Sequence, residues 1–414
     1  MAVLSLITFI CPAIGFFIIL ILLIGNFNHK FPENFKKMYI PIAFIAATCG
    51  YALILRGEYD LTRYFYQLNY YTGSSLLYIL EQGNGTSYTK DIWFYFVKLT
   101  GNVHMLPYMS ALGVYGLVSY VIFDCINRSE REFTVAEVCE LLLIALFVIS
   151  PFSIINNIRC VFSYVIISFA TYRDLVQKKK NLLTYVLYII PIGLHSSAIV
   201  ILLFRILQVL VKKLGRGIAI VAALVPAFIT FFYEHIDLFG SSLIGLTFSN
   251  AINMAYAYLN DAIDVNPGIF DFINRAYGTF FIVLIIILLF VAKSYVRKNK
   301  NLKDPFYEPM VSYLYLVGIG ALGCLYIVAG AFWRFEAVVV LFSPLIFVPL
   351  MEMGIPVFKR AIHLMLGLMI IPLIPNVIEF KMATDITETI VSFFTTTGFE
   401  ILYYTFIGLY KSIV

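Results

Sequence analysis

Phe280-Phe281-Ile282-Val283-Leu284-Ile285-Ile286-Ile287-Leu288-Leu289-Phe290-Val291-Ala292 decides the fold. No charged or hydrogen-bonding side chain interrupts it. A membrane β-strand would alternate apolar and polar residues with a period of two. This stretch is apolar at every position, so it reads as a helix that is apolar all round. In hydrocarbon every backbone N–H and C=O must be satisfied internally, and a helix does this within one segment. Arg275 precedes the stretch and Lys293, Arg297 and Lys298 follow it. The interval between these charges matches the roughly 20 residues that a bilayer core requires.

The same reading extends outward. Phe16 to Ile24 and Val338 to Leu350 are also free of charge. Over 414 residues the chain is 61% hydrophobic and 13% charged, with a mean hydropathy of +0.90. A soluble domain is about 45–50% apolar and about a quarter charged. So much apolar surface needs lipid as its solvent, and the fold class is an all-α integral membrane bundle. Residues 1–414 read as a single transmembrane domain without a soluble part. Spans are expected near 3–25, 38–55, 103–123, 134–153, 158–176, 181–195, 197–211, 217–233, 276–295, 309–332, 335–351 and 361–378, about 12 in all. The stretch 385–411 is open between a surface helix and a further span. The first run lacks a basic leader and is followed by basic residues, so it reads as a retained span. The six cysteines are scattered and show no metal-ligand spacing.

Lysine and arginine set the orientation. Lys30, Lys36 and Lys37; Arg128 and Arg131; Arg173 with Lys178 to Lys180; Lys212, Lys213 and Arg216; Lys293 to Lys303; and Lys359 with Arg360 fall in alternate loops. These mark the cytoplasmic side. The net charge of +5 is mostly this topology signal and does not point to nucleic acid. Two longer loops then face outward, 56–102 and 234–275. They are rich in Tyr, Phe and Asp rather than Gly and Ser, and read as ordered lids.

A few basic residues break the rule. Arg56 lies where the second span leaves the membrane, Arg159 opens the fifth, His195 tips the sixth, and Arg334 lies between the tenth and eleventh. All four fall on the outward side. A guanidinium there is unfavourable unless it has a partner or a ligand. Glu58 and Asp60 follow Arg56, and Glu336 follows Arg334, as local partners. The functional reading is an anion site, because arginine offers a planar fork suited to phosphate oxygens. The helix starting at Arg159 adds its positive N-terminal dipole.

Ile155-Asn156-Asn157-Ile158-Arg159, then Lys178-Lys179-Lys180, then Leu194-His195-Ser196-Ser197-Ala198 resembles the core of EpsG-type, Wzy-like polysaccharide polymerases. Arg56-Gly57-Glu58-Tyr59-Asp60 with Tyr64 is similar to that family's first large outer loop. Asp91 to Phe96 resembles the helix that re-enters the membrane, and Trp333-Arg334-Phe335 the late arginine. Cys160 stands where the family often has Gln.

The resemblance implies a repeat-unit polymerase of the Wzx/Wzy pathway in a bacterial inner membrane. Its fold would be GT-C-like, as in O-antigen ligases. It would transfer a growing glycan from undecaprenyl diphosphate to a lipid-linked repeat unit at the periplasmic face. A Wzz-like chain-length regulator and a flippase are the implied partners.

Such a transfer needs a stabiliser for the departing diphosphate, a base for the acceptor hydroxyl, and a sugar pocket. Preorganised positive charge is often the largest catalytic contribution. Arg159 and Arg334 are the diphosphate clamps, with Arg56 a weaker third, and no metal or cofactor is then needed. His195 is the first candidate base. It also serves as a diphosphate ligand in the alternative reading. Asp60, Glu58 and Glu336 are rival bases, and His235 a further outer candidate. Tyr64 and neighbouring tyrosines suit a sugar pocket. Two rival functions stay open: a metal-dependent glycosyltransferase with a polyprenyl-phosphate donor, using Glu58 and Asp60, and a lipid-linked oligosaccharide flippase.

Overall fold

The stretch 280–292 lies in one long helix, Ile269–Lys298, whose outer face keeps Phe290 65% exposed. An exposed phenylalanine in a helix this apolar is a lipid-facing side chain. The structure, a computed structural model, describes residues 1–71, 75–82, 87–214, 217–224, 229–236, 269–299, 304–325 and 329–413, with isolated positions from 240 to 256. Among the described residues there is no strand, only the isolated bridges Lys30–Thr134 and Leu55–Thr384.

In chain order the helices are α1 (Ala2–Ile10), α2 (Pro12–Gly25), α3 (Tyr39–Tyr51), α4 (Asp60–Tyr70), α5 (Leu76–Gln82), α6 (Tyr88–Thr100), α7 (Met105–Arg128) and α8 (Val135–Phe147). They continue as α9 (Pro151–Asn156), α10 (Ile158–Leu175), α11 (Leu182–Leu194), α12 (Ala198–Leu214), α13 (Gly217–Leu224), α14 (Ile229–Glu234) and α15 (Ile269–Lys298). The last are α16 (Glu308–Cys324), α17 (Ala329–Leu341), α18 (Pro344–Glu352), α19 (Pro356–Leu368), α20 (Ile370–Ala383), α21 (Ile386–Thr395) and α22 (Gly398–Ile413).

Among the described residues, four segments are long and apolar enough to cross a membrane, Met105–Arg128, Ile269–Lys298, Gly330–Glu352 and Pro356–Ala383, and the bent pair Ile386–Thr395 with Gly398–Ser412 makes a fifth if it counts as one span. Shorter apolar helices (Pro12–Gly25, Leu182–Leu194, Ala198–Leu210 and Glu308–Cys324) complete a membrane-embedded bundle. Gly330–Glu352 is its axis, with 94% of its apolar window buried against 33% for Ile269–Lys298. α17 packs against α8, α10, α15 and α16.

Proline divides two of the expected spans. The run 3–25 breaks at Cys11, and Pro12 opens α2. The run 134–153 breaks before Pro151, which opens α9 under the Ser150 cap. Proline lacks an N–H and clashes with the preceding turn, so it begins a helix more readily than it continues one. The helix expected at 276–295 starts earlier, taking in the last residues of the second loop. The apolar stretch 243–259 of that loop falls mostly outside the described residues. In the first loop, α4, α5 and α6 form an ordered cover whose Leu61, Ile79 and Phe94 are fully buried.

The basic loops around Lys30, Arg128, Arg131 and Lys359 assemble at one end. Lys30 pairs with Glu132. Arg131 holds Glu137 at 2.6 Å and the Met351 carbonyl at 2.7 Å. Lys359 reaches the same Glu137 at 3.5 Å. Gln177 ties the α10–α11 turn to Asp124 at 2.9 Å, and Asp124 holds Arg128.

The opposite end carries Arg56, Asn102 and Asp385. Arg56 N donates to the Ala383 carbonyl at 2.7 Å, and Asp385 N to the Ile54 carbonyl at 2.8 Å. The open stretch 385–411 is two helices bent by 86°. Both stay with this second end: the Ile54 amide donates to Thr389 of α21, and Tyr51 donates to Glu400 of α22.

Candidate functional site

Asn156 and Asn157 interrupt the chain between α9 and α10 and set the site's geometry. The Leu61 amide donates to Asn156 Oδ1 at 3.0 Å, which anchors the start of α4 beside the start of α10. Tyr59 meets Phe152 edge-on at 5.5 Å. One turn along α4, Tyr64 stands on the fully buried Phe94 of α6, with ring centroids 5.6 Å apart. The Arg159 guanidinium lies over the Tyr64 ring at 4.7 Å. Its Nε is buried and has no hydrogen-bond partner among the described residues. A cation held by a ring face keeps its N–H fork available for an anion.

His195 follows α11, whose Pro191 leaves the last turn ready to end. α11 has 13 residues. At 1.5 Å per residue it rises only about 20 Å from the basic end, less than a bilayer core of about 30 Å. His195 is thus recessed below the far surface. Gly193 makes this fold possible, because a Cβ there would lie 2.3 Å from Thr89 Oγ1 of α6.

The His195 ring is held through a relay. Tyr164 donates to Ser197 Oγ at 2.9 Å, and Ser197 Oγ lies 2.5 Å from His195 Nδ1. The Ser197 proton has two outlets, Nδ1 at 2.5 Å and Cys160 Sγ at 4.0 Å. Either group can be the donor in the 2.5 Å contact, according to the imidazole tautomer. With Ser197 donating to Nδ1, a neutral imidazole carries its proton on Nε2. His195 is then a donor toward whatever lies beyond it, which suits an anion ligand better than a base.

Arg334 completes the group. Arg159 and Arg334 both lie within electrostatic range of His195 and of Cys160. Phe335 stacks on Tyr164 at 5.9 Å. α17 therefore meets α10 with Arg334 aimed at the side that holds Arg159 and His195. Three of the four rule-breaking residues converge from α10, the α11–α12 turn and α17.

The fourth does not join them. Arg56 forms an ion pair with Asp385, 329 positions away, rather than with its sequence neighbours. Its positive charge holds the Asp385 carboxyl below the usual carboxylate range. Glu58 is exposed, and Asp60 pairs with Arg63 at 3.5 Å. His235 is exposed after α14.

Glu336 forms no ion pair with Arg334, whose guanidinium lies over the Trp333 ring at 5.6 Å. Trp333 and Glu336 are three residues apart and share a face of α17, while Arg334 is offset by about 100°. Glu336 is 6% exposed and lines a cavity of about 300 Å³ with Asp271, Arg275, Tyr277 and Glu379. It accepts no hydrogen bond and forms no ion pair among the described residues. Asp271 and Glu379 were not singled out by sequence. Each sits on a helix that reads as an ordinary span end, and nothing local marks the face it presents.

Ser197 and Tyr164 were also missed as a relay, although Ser197 stands two residues from His195. No protein-family model matches the chain, and neither a curated protein nor a solved structure matches it.

Proposed function

We propose that this chain is a membrane glycosyltransferase that joins lipid-linked saccharide repeat units, with a polyprenyl diphosphate as leaving group. The observation that carries the reading is the convergence of Arg159, Arg334 and His195 in a recessed site. Two guanidiniums and an N–H donor suit a developing diphosphate charge better than any neutral ligand. The full arrangement is about 12 spans of GT-C-like type in a bacterial inner membrane, with the site opening to the periplasm. The donor is an undecaprenyl-diphosphate-linked oligosaccharide. A chain-length regulator and a flippase act with it.

In the reaction, the bond between the donor's anomeric carbon and the diphosphate oxygen breaks. The acceptor hydroxyl oxygen forms the new bond to that carbon. Its proton passes to a carboxylate, and the diphosphate lipid departs with the electron pair. Asp60, which shares the surroundings of Tyr64 with Arg159, is the base on the side that holds the diphosphate. His195 donates to the leaving group.

The test is reconstitution in nanodiscs with undecaprenyl-diphosphate-linked oligosaccharide extracted from the source cell. A glycan ladder is expected, with at least a hundredfold loss on Arg159→Ala or Arg334→Ala. A full ladder from both folded variants would overturn the assignment.

A further inference from the structure

The transfer reaction leaves Glu336 unused. Its side chain is 6% exposed and lines the cavity of about 300 Å³. It accepts no hydrogen bond and forms no ion pair among the described residues. α15 comes against the carboxyl at Gly278, where a Cβ would lie 2.2 Å from Oε1, so the group is seated closely. A second atom is also open. Asn274 Oδ1 is buried without a hydrogen-bond partner, while its Nδ2 donates to Asn376 at 3.2 Å. Buried polar groups left open are unfavourable unless something satisfies them. Both open groups are acceptors, so the missing partner is a donor.

Charge says which donor. Asp271, Glu336 and Glu379 line the cavity from three helices, α15, α17 and α20. Arg275 stands one turn from Asp271 on α15 and offsets one of the three charges. Two negative charges remain. Among the described residues no three His, Cys, Asp or Glu side chains are grouped to hold one metal ion. The acids instead form two poles. Glu336 is the deep pole. Asp271, which is exposed, and Glu379 lie within electrostatic range of each other and form the outer one. Trp333 and Pro372 give the wall between them an apolar part.

We propose that this cavity binds a short linear diamine, with one ammonium on Glu336 and the other on Glu379 and Asp271. Each ammonium brings three donors and no acceptor, which matches the open carboxyl and the open amide oxygen. Two positive charges balance the two that remain. The methylenes lie along Trp333 and Pro372. Glu379 is one turn before Ala383, whose carbonyl accepts from Arg56 N, so the ligand enters from the end away from the basic loops. The site is independent of the diphosphate site and stands or falls apart from the transferase reading.

The chain has only two tryptophans, Trp93 and Trp333. Trp93→Phe leaves Trp333 as the only indole, standing in the cavity wall. This protein, in nanodiscs of phosphatidylcholine, is titrated with putrescine, butylamine and magnesium chloride while Trp333 emission is read. Putrescine is expected to act at a concentration at least tenfold lower than butylamine or magnesium. Glu336→Gln and Glu379→Gln, which keep the shape of each side chain, are each expected to raise the putrescine requirement at least tenfold. Glu33→Gln, at the basic end, and Arg159→Ala are expected to leave it unchanged.

No response to putrescine, or equal responses to putrescine and butylamine, would overturn the proposal. So would a magnesium response at the same or lower concentration, which would make this a metal site. A putrescine response that survives both Glu336→Gln and Glu379→Gln would place the amine elsewhere and sink it too. Loss of pyrophosphate binding or of the glycan ladder bears on the transferase reading alone. If Trp93→Phe does not fold, the difference in emission between the wild-type protein and Trp333→Phe reads the same signal.

Discussion

The Arg159 guanidinium lies over the ring of Tyr64, 4.7 Å from its centroid, and so joins α10 to α4 of the cover. A cation–π contact of this kind contributes about 0.5–2 kcal/mol. Tyr64→Phe keeps the ring and is expected to keep pyrophosphate affinity within about twofold. Tyr64→Ala is expected to weaken it by roughly 2- to 30-fold. Calorimetric titration of both variants checks this, and equal losses would remove the ring face from the account.

Ser197→Ala breaks the relay from Tyr164 to His195. A typical intramolecular hydrogen bond contributes about 0.5–1.5 kcal/mol net, so turnover should fall roughly 2- to 12-fold. Ser197→Thr retains the hydroxyl and should restore most of it. The pH–rate profile should change in Ser197→Ala and not in Ser197→Thr. A purely packing role would leave the profile alone.

Gly278 permits the position of Glu336. A Cβ at 278 would lie 2.2 Å from Glu336 Oε1. Gly278→Ala therefore displaces the carboxyl from the cavity wall. The melting temperature should fall while pyrophosphate affinity stays the same. A loss of affinity as well would mean that the helix itself had moved.

Asp385 offers a pH test. Its carboxyl is held low by Arg56, so the contact stabilises the fold above the ordinary carboxylate pKa of about 3.9. It is lost as pH falls through the lowered value. The melting-temperature difference between wild type and Asp385→Asn should be present at neutral pH and absent in strong acid. The difference at neutral pH should be small, because Arg56 is 63% exposed.

Tyr51 donates to Glu400 at 2.6 Å and accepts from Asn102 at 2.7 Å. Tyr51→Phe leaves both groups half-buried without that partner and should destabilise by about 1–3 kcal/mol. A thermal unfolding series with Asn102→Ala, and the double variant, would show whether the two losses are coupled.

The membrane class was legible from composition and from stretches such as 280–292, because lipid forces one local solution on an apolar chain. The meeting of Arg159, His195 and Arg334 was foreseeable only in part: Arg159 and His195 break the charge rule at helix ends, whereas Arg334, expected between the tenth and eleventh spans, lies inside one continuous segment, Gly330–Glu352. What sequence could not supply was azimuth. Glu336 looked like a partner for Arg334, yet two residues along a helix turn a side chain to a different face. Arg56 had acids beside it and paired instead with Asp385. Pairings hundreds of positions apart depend on how helices are rotated in the bundle, and no local pattern records that rotation.

α17 presents Arg334 to one hollow and Glu336 to another from the same length of backbone. Two residues on one helix are separated by a fixed rise of about 3 Å. Helices slide and tilt as bodies, so both side chains travel together. The helix acts as a gauge block: the gap between the two side chains is inherited from the backbone and does not change when the helix moves.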